Sequence, residues 1–271
     1  MEVDPLTPTE TVDRLVPQCH EVPQCLFADT QIAPGQYLGV AINLGGATTV
    51  MLPGTGSDDD YVTRAFSGPL RDAGARILAP PPQPNHLIDA YLTALDDAAR
   101  RGPIAVGGVS IGAAVAAAWA LQHPDRAVAV LAALPAWTGP PGDAPAASAA
   151  RHSADQLRHD GLAATTAQMQ ASSPPWLAEE LTRSWRSQWP HLPDAMEEAA
   201  TYVAPTRKQL QRLAVPMGVA AATDDPIHPL EVGLEWAAAA PRAALRTVTL
   251  DQIGADPAAL GAACLAALGD L

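Results

Sequence analysis

Ile104-Ala105-Val106-Gly107-Gly108-Val109-Ser110-Ile111-Gly112 is the stretch whose reading decides the fold. The run from Ile104 to Val109 is apolar or small throughout, which reads as a strand buried on both faces. The alanine-rich run that follows, Ile111 to His123, reads as a helix, and Pro124 stops it. At the junction, Gly108-Val109-Ser110-Ile111-Gly112 matches G-x-S-x-G in the strand-to-helix setting that gives the pattern meaning. The flanking glycines permit a sharp turn that lifts the Ser110 hydroxyl above the sheet, and the new helix aims its amino-terminal dipole there. The alternative is a glycine-rich turn carrying an incidental serine.

Upstream, a proline-rich arm over residues 1–36 precedes two apolar runs, Tyr37 to Leu44 and Thr48 to Leu52, joined at Gly45-Gly46, a two-residue hairpin signal. Pro53-Gly54-Thr55-Gly56-Ser57 ends the second strand. Ser57 with Asp58, Asp59 and Asp60 suits a capped helix start, running to about Asp72. Arg76 to Ala79 reads as a short strand, and Leu87, Tyr91, Leu95 and Ala98 recur at helical spacing. Downstream, Val128 to Leu134 is a strand. From Pro135 to about Leu213 no buried-strand run occurs, and four of the six tryptophans, Trp137, Trp176, Trp185 and Trp189, fall there. Alternation resumes with a strand from Met217 to Ala222, a helix around Leu230 to Ala239, a strand from Leu245 to Leu250 and a helix from Pro257 to Leu268. The expected class is α/β: a mostly parallel central sheet with helices on both faces and an inserted helical lid over 135–213, in one domain spanning 1–271.

From Tyr37 to the carboxyl terminus, this order around the G-x-S-x-G turn resembles the α/β-hydrolase superfamily. The resemblance implies a serine hydrolase of a small-molecule ester, thioester or lactone, with carbon–carbon bond hydrolysis also within its range and no cofactor or metal. It makes Ser110 the nucleophile. The loop after Thr48 to Leu52 becomes the oxyanion loop, which begins His-Gly in many relatives and Pro53-Gly54 here. Backbone N–H groups do that work, so Thr55 and Ile111 are the expected donors, with Gly54 and Gly56 beside the substrate. The acid falls after the strand Met217 to Ala222, where Asp225 aligns best and Asp224 is a one-residue alternative.

The histidine is expected between the last strand and the last helix, but Leu250-Asp251-Gln252-Ile253-Gly254-Ala255-Asp256-Pro257 has none, and Ala255 occupies its slot. The resemblance therefore implies an inactive or strongly impaired enzyme, either altered from His to Ala or naturally degenerate and kept as a ligand-binding protein. His228, three residues past Asp225, and His86, near Pro84, are the histidines that stand in for it in principle. The tryptophans of the insertion, Trp137, Trp176 and Trp185 among them, line an apolar pocket or pack the insertion onto the body, so the expected substrate has an apolar part. Glu179, Glu180, Glu197 and Glu198 read as a solvated helix face.

Composition narrows the partners. A net charge of −13, from 16 basic and 29 acidic residues, argues against nucleic acid. No run reaches the roughly 18 apolar residues of a membrane span, and the first residues carry no basic-then-apolar leader. A cytoplasmic location is expected. Cys19 and Cys25 sit in a repeat, Val16-Pro17-Gln18-Cys19 and Val22-Pro23-Gln24-Cys25, around His20. A second cysteine pair is lacking, so a local duplication is preferred to a metal site.

Overall fold

The computed structural model describes residues 44–271, so the arm, the Cys19/His20/Cys25 segment and the strand expected over Tyr37 to Leu44, apart from Leu44 itself, lie outside the described residues. The rest alternates. Strand β1 (Thr48–Leu52) leads to helix α1 (Asp59–Asp72), β2 (Arg76–Leu78), α2 (Leu87–Ala99), β3 (Ile104–Val109), α3 (Ile111–Gln122) and β4 (Ala127–Ala133). The insertion follows as α4 (Pro145–Ser172), α5 (Pro175–Gln188), α6 (Leu192–Thr201) and α7 (Arg207–Leu210). Then come β5 (Met217–Ala222), α8 (Leu230–Ala239), β6 (Ala243–Val248), α9 (Leu250–Ala255) and α10 (Ala258–Gly269).

All six strands pair in parallel in the order β2-β1-β3-β4-β5-β6. β3, β4 and β5 are almost wholly buried, as expected of strands covered on both faces. One apolar layer gathers Phe66, Leu70, Leu260 and Cys264 from α1 and α10. The other gathers Tyr91, Leu95, Trp119 and Trp236 from α2, α3 and α8, together with Leu157 and Leu192 of the insertion. Among the described residues no helix is long and apolar enough to cross a membrane.

β1 is flanked by β2 on one edge and β3 on the other, both parallel, and Gly46 N–H donates to the Gly74 carbonyl at 2.8 Å, tying the entry of β1 to that of β2. One local expectation changes. The last strand ends at Val248 rather than Leu250, because Thr249 and Gln252 form a capping box that starts α9.

Order reverses at β1. The chain leaves it for β2 on one side and returns past it to β3 on the other, so their carboxyl ends open a crevice at the point where ligands bind in sheets of this kind. Close packing fixes the crevice. A Cβ on Gly112 would sit 2.3 Å from the Leu52 carbonyl oxygen, and one on Gly108 would sit 2.5 Å from the Gly112 backbone. Gly112→Ala is accordingly expected to cost roughly 1–3 kcal/mol by overpacking and to lower the thermal midpoint by several degrees. Gly269→Ala, where a Cβ meets nothing within 4 Å, is the control expected to leave the midpoint in place; calorimetry on the pair checks both.

Candidate active site

Ser110 stands between β3 and α3 with φ 55° and ψ −115°, a backbone conformation that an L residue occupies only under constraint. Its N–H donates to the Ala133 carbonyl at 2.9 Å and its carbonyl accepts from Ala114 N–H at 3.2 Å, so both neighbouring elements hold the turn. The residue is only 7% exposed.

The structure brings an imidazole to Ser110 from a place other than position 255. His228 Nε2 lies 3.0 Å from Ser110 Oγ, and its Nδ1 lies 2.7 Å from Asp225 Oδ2. A carboxylate only accepts, so in the neutral ring the proton sits on Nδ1 and Nε2 is left to accept from the serine hydroxyl. Ala255, by contrast, is the last residue of α9. The expectation that the imidazole is missing is therefore corrected. The reason is local: Asp225 Oδ1 accepts the N–H of Ile227 at 2.8 Å and of His228 at 3.2 Å, closing a turn that folds residue 228 back over the carboxylate. The signal was Asp225-Pro226-Ile227-His228, a turn sequence with an imidazole at the third residue past the acid.

The other candidates separate. His86 is exposed and precedes α2, and the Ser110 hydroxyl is engaged by His228 instead. Asp224, the alternative acid, accepts the Leu250 N–H at 2.8 Å and so ties α9 to the acid turn.

The loop after β1 lies against the serine: a Cβ on Gly54 would be 3.6 Å from Ser110 Cβ. The Tyr91 hydroxyl donates to the Pro53 carbonyl at 3.2 Å, and burial raises its pKa, which keeps it a donor. Ile111 N–H is the first of α3 and has no intrahelical acceptor, and Thr55 N–H has no acceptor among the described residues. Neither expected donor is engaged by a backbone acceptor among the described residues.

The insertion closes over this loop. Gly56, with φ 68°, lies under Trp185 and Met196, and Gly254 lies under Trp176. Trp137 is different: it is buried in the core and donates to the Tyr202 carbonyl at 3.2 Å. Polar stitches hold α5 and α6 to the body. Arg183 makes a bidentate pair with Asp58, Nη2–Oδ1 2.8 Å and Nε–Oδ2 3.1 Å, while Asp58 also caps α1 through Tyr61 N–H. Gln188 donates to the Ser57 carbonyl, and Glu198 accepts the first N–H groups of α2, from Leu87 and Ile88. The acidic residues expected to be solvated are therefore partly engaged: Glu198 in this cap, Glu180 with Arg64 and Arg183, and Glu197 with Arg158. A cavity of about 390 Å³ at this seam, between Asp58, Pro82 and Gln188, includes none of Ser110, Asp225 and His228. Among the described residues no group of three His, Cys, Asp or Glu side chains is gathered to hold a metal ion.

Compared with known proteins, the chain matches no family model and no curated protein. Solved structures do resemble it. One is an enol-lactonase from Burkholderia xenovorans, 20% identical, with TM-score 0.57 over 76% of this chain and 84% of that one. A hydrolase from Pseudomonas aeruginosa is 23% identical, with TM-score 0.59 over 83% and 90%. A thermophilic esterase from Thermogutta terrifontis is 20% identical, with TM-score 0.56 over 76% and 81%. Likeness at these identities is likeness of fold.

Burial raises the Asp225 pKa, but the hydrogen bond and charge of His228 and two backbone N–H groups outweigh it, leaving the carboxyl below its ordinary range. A depressed folded-state value means stability that is present above the unfolded value, about 3.9, and is lost as pH falls through the folded one. Asp225→Asn is therefore expected to be less stable than the unmodified protein at pH 7, and the gap is expected to narrow below about pH 4. Urea denaturation of both proteins across pH 3–7 measures it.

Proposed function

We propose that this chain, which has the α/β-hydrolase fold, is a working serine hydrolase that cleaves an ester, thioester or lactone of a small molecule with an apolar part. The observation that carries the reading is the continuous hydrogen-bonded line Ser110–His228–Asp225, with heavy-atom spacings of 3.0 and 2.7 Å.

In this mechanism the Ser110 hydroxyl passes its proton to His228 Nε2 as Oγ attacks the substrate carbonyl. Negative charge develops on the carbonyl oxygen and is met by the N–H groups of Thr55 and Ile111 at the start of α3, whose dipole points the same way. His228 then protonates the leaving oxygen or sulfur, and an acyl group stays on Ser110. Water, deprotonated by His228, attacks that acyl carbonyl, and the returned proton restores the serine. Asp225 keeps its charge throughout: it fixes the imidazole tautomer and stabilises the imidazolium. Its lowered pKa supports that role. With an imidazole in place, the impaired-enzyme reading loses its motive, and Ala255 needs no restoration.

Hydrolysis of p-nitrophenyl acetate and butyrate tests this. The unmodified protein is expected to turn them over, and Ser110→Ala and His228→Ala are each expected to reduce kcat by about 10⁴ to 10⁶. Ala255→His is expected to bring no gain. Activity appearing only in Ala255→His would put the base at 255 after all. Silence of every variant with an intact fold would favour a ligand-binding protein or carbon–carbon bond hydrolysis.

A further inference from the structure

Two polar side chains are buried where an apolar one would fill the same space. Tyr91 is fully buried on the face of α2 that carries Leu87 and Leu95, and phenylalanine would satisfy that packing. Gln188, the last residue of α5, is only 6% exposed. A buried polar group costs stability unless it is hydrogen-bonded, so the partner of each accounts for its presence. The Tyr91 hydroxyl donates to the Pro53 carbonyl at 3.2 Å. Gln188 Nε2 donates to the Ser57 carbonyl at 2.9 Å and to Ser184 Oγ at 2.7 Å. A carbonyl only accepts, which fixes the end of the amide that faces Ser57.

The two carbonyls are the ends of one loop. Between them Ser57 N–H donates to the Gly54 carbonyl at 3.0 Å, closing a turn whose central residues are Thr55 and Gly56. That bond uses neither central N–H, and Thr55 N–H has no acceptor among the described residues. Gly56 takes φ 68° in the turn, a conformation open to glycine, so the backbone here is permissive and its direction has to be set from outside. Because the peptide unit is planar, a bond to the Pro53 carbonyl also fixes the direction of the Gly54 N–H. The bond from Gln188 fixes the far end.

We propose that Tyr91 and Gln188 are positioning residues, which clamp the two ends of the Pro53–Ser57 turn and so hold the Thr55 N–H in the direction that meets the developing oxyanion. The inference deepens the hydrolase reading and rests on it. A donor stabilises a transition state most when it needs no reorganisation as charge develops. Gly54, one residue before Thr55, packs against the nucleophile: a Cβ there would be 3.6 Å from Ser110 Cβ. Burial raises the Tyr91 pKa, so the phenol stays protonated across the range in which an imidazole base works. The clamps come from different parts of the chain. Tyr91 belongs to the body and Gln188 to the insertion, so seating the insertion completes the oxyanion site.

The test uses p-nitrophenyl butyrate and propyl trifluoromethyl ketone, an inhibitor with the same acyl chain. Ser110 Oγ adds to the ketone carbon, its proton passes to His228 Nε2, and the carbonyl electron pair moves onto oxygen, so the adduct carries the oxyanion of the transition state. Methyl propyl ketone, which stays a ketone, is the ground-state control. Tyr91→Phe and Gln188→Met remove the donors and keep the volume. With active sites counted by titration with diethyl p-nitrophenyl phosphate, each variant is expected to lower kcat/KM about 3- to 30-fold, less than the loss of an oxyanion donor itself. The trifluoromethyl ketone is expected to weaken by the same factor and methyl propyl ketone to bind unchanged. A fall in thermal midpoint with per-site kcat/KM and ketone affinity intact makes both residues packing only and overturns the inference. A fall in kcat/KM that leaves the trifluoromethyl ketone as tight as before, or that weakens both ketones alike, overturns it too while the hydrolase reading stands. If Tyr91→Phe does not fold, Gln188→Met carries the test, and unchanged kcat/KM there overturns the inference. Silence of the folded, unmodified protein toward both ester and phosphate removes the hydrolase reading and this inference with it.

Discussion

The backbone contact between Gly112 and the carbonyls of Leu52 and Pro53 is the constraint on which the rest of the site depends. It presses the first turn of α3 against the end of β1. Only hydrogen fits at position 112, where a Cβ would fall 2.3 Å from one carbonyl oxygen and 2.7 Å from the other. The chain leaving β3 must then turn within a single residue, and Ser110 takes the positive φ that results. Such a conformation costs of order 1–3 kcal/mol, offset here by ties to Ala133 and Ala114. One contact thus sets the hydroxyl, the helix dipole and the loop carrying Gly54 and Thr55 side by side.

The sheet order explains why the site lies there. Reversal at β1 opens the crevice between the ends of β1 and β3, and the parallel march through β4 and β5 brings the loop after β5 to the same edge. Asp225 and His228 reach the serine from that loop. Across the crevice, the insertion is held by polar contacts and not by apolar packing alone: Arg183 and Gln188 attach to the residues just after the Gly54–Gly56 loop, and Glu198 caps α2. A surface pair as exposed as Arg183 contributes little to stability in isolation. Its effect here is positional, because Asp58 is at once the cap of α1 and the anchor of α5.

How far the site could be read from the sequence follows from what each signal depends on. β3 and β5 were legible to the residue, since a fully buried strand writes itself as an unbroken apolar run bounded by turns. Ser110 followed from its strand and helix. α9 was not legible: Leu245 to Leu250 continues a strand-like run, and the capping pair Thr249 and Gln252 is recognisable only once the strand is known to stop. The role of Glu198 depends on a contact 111 positions distant, which no local pattern carries. The family resemblance places the imidazole after the last strand, whereas Asp225-Pro226-Ile227-His228 carries the local chemistry of a closed turn.

Carrying acid and imidazole on one turn changes what the remaining loops must do. When two loops supply the pair, their relative position sets the spacing of carboxylate and imidazole. Here the same carboxylate that holds Nδ1 also holds the N–H groups of residues 227 and 228, so the spacing is set within four residues. The segment from Thr249 to Asp256 forms a capped helix, fixed to the turn of Asp225 through Asp224 and the Leu250 N–H, and its Gly254 is the surface on which Trp176 rests. A Cβ at 254 would fall 2.3 Å from that indole ring, so the insertion is seated on the stretch where the resemblance expects the base. The alanine at 255 ends that helix, next to the glycine on which Trp176 rests.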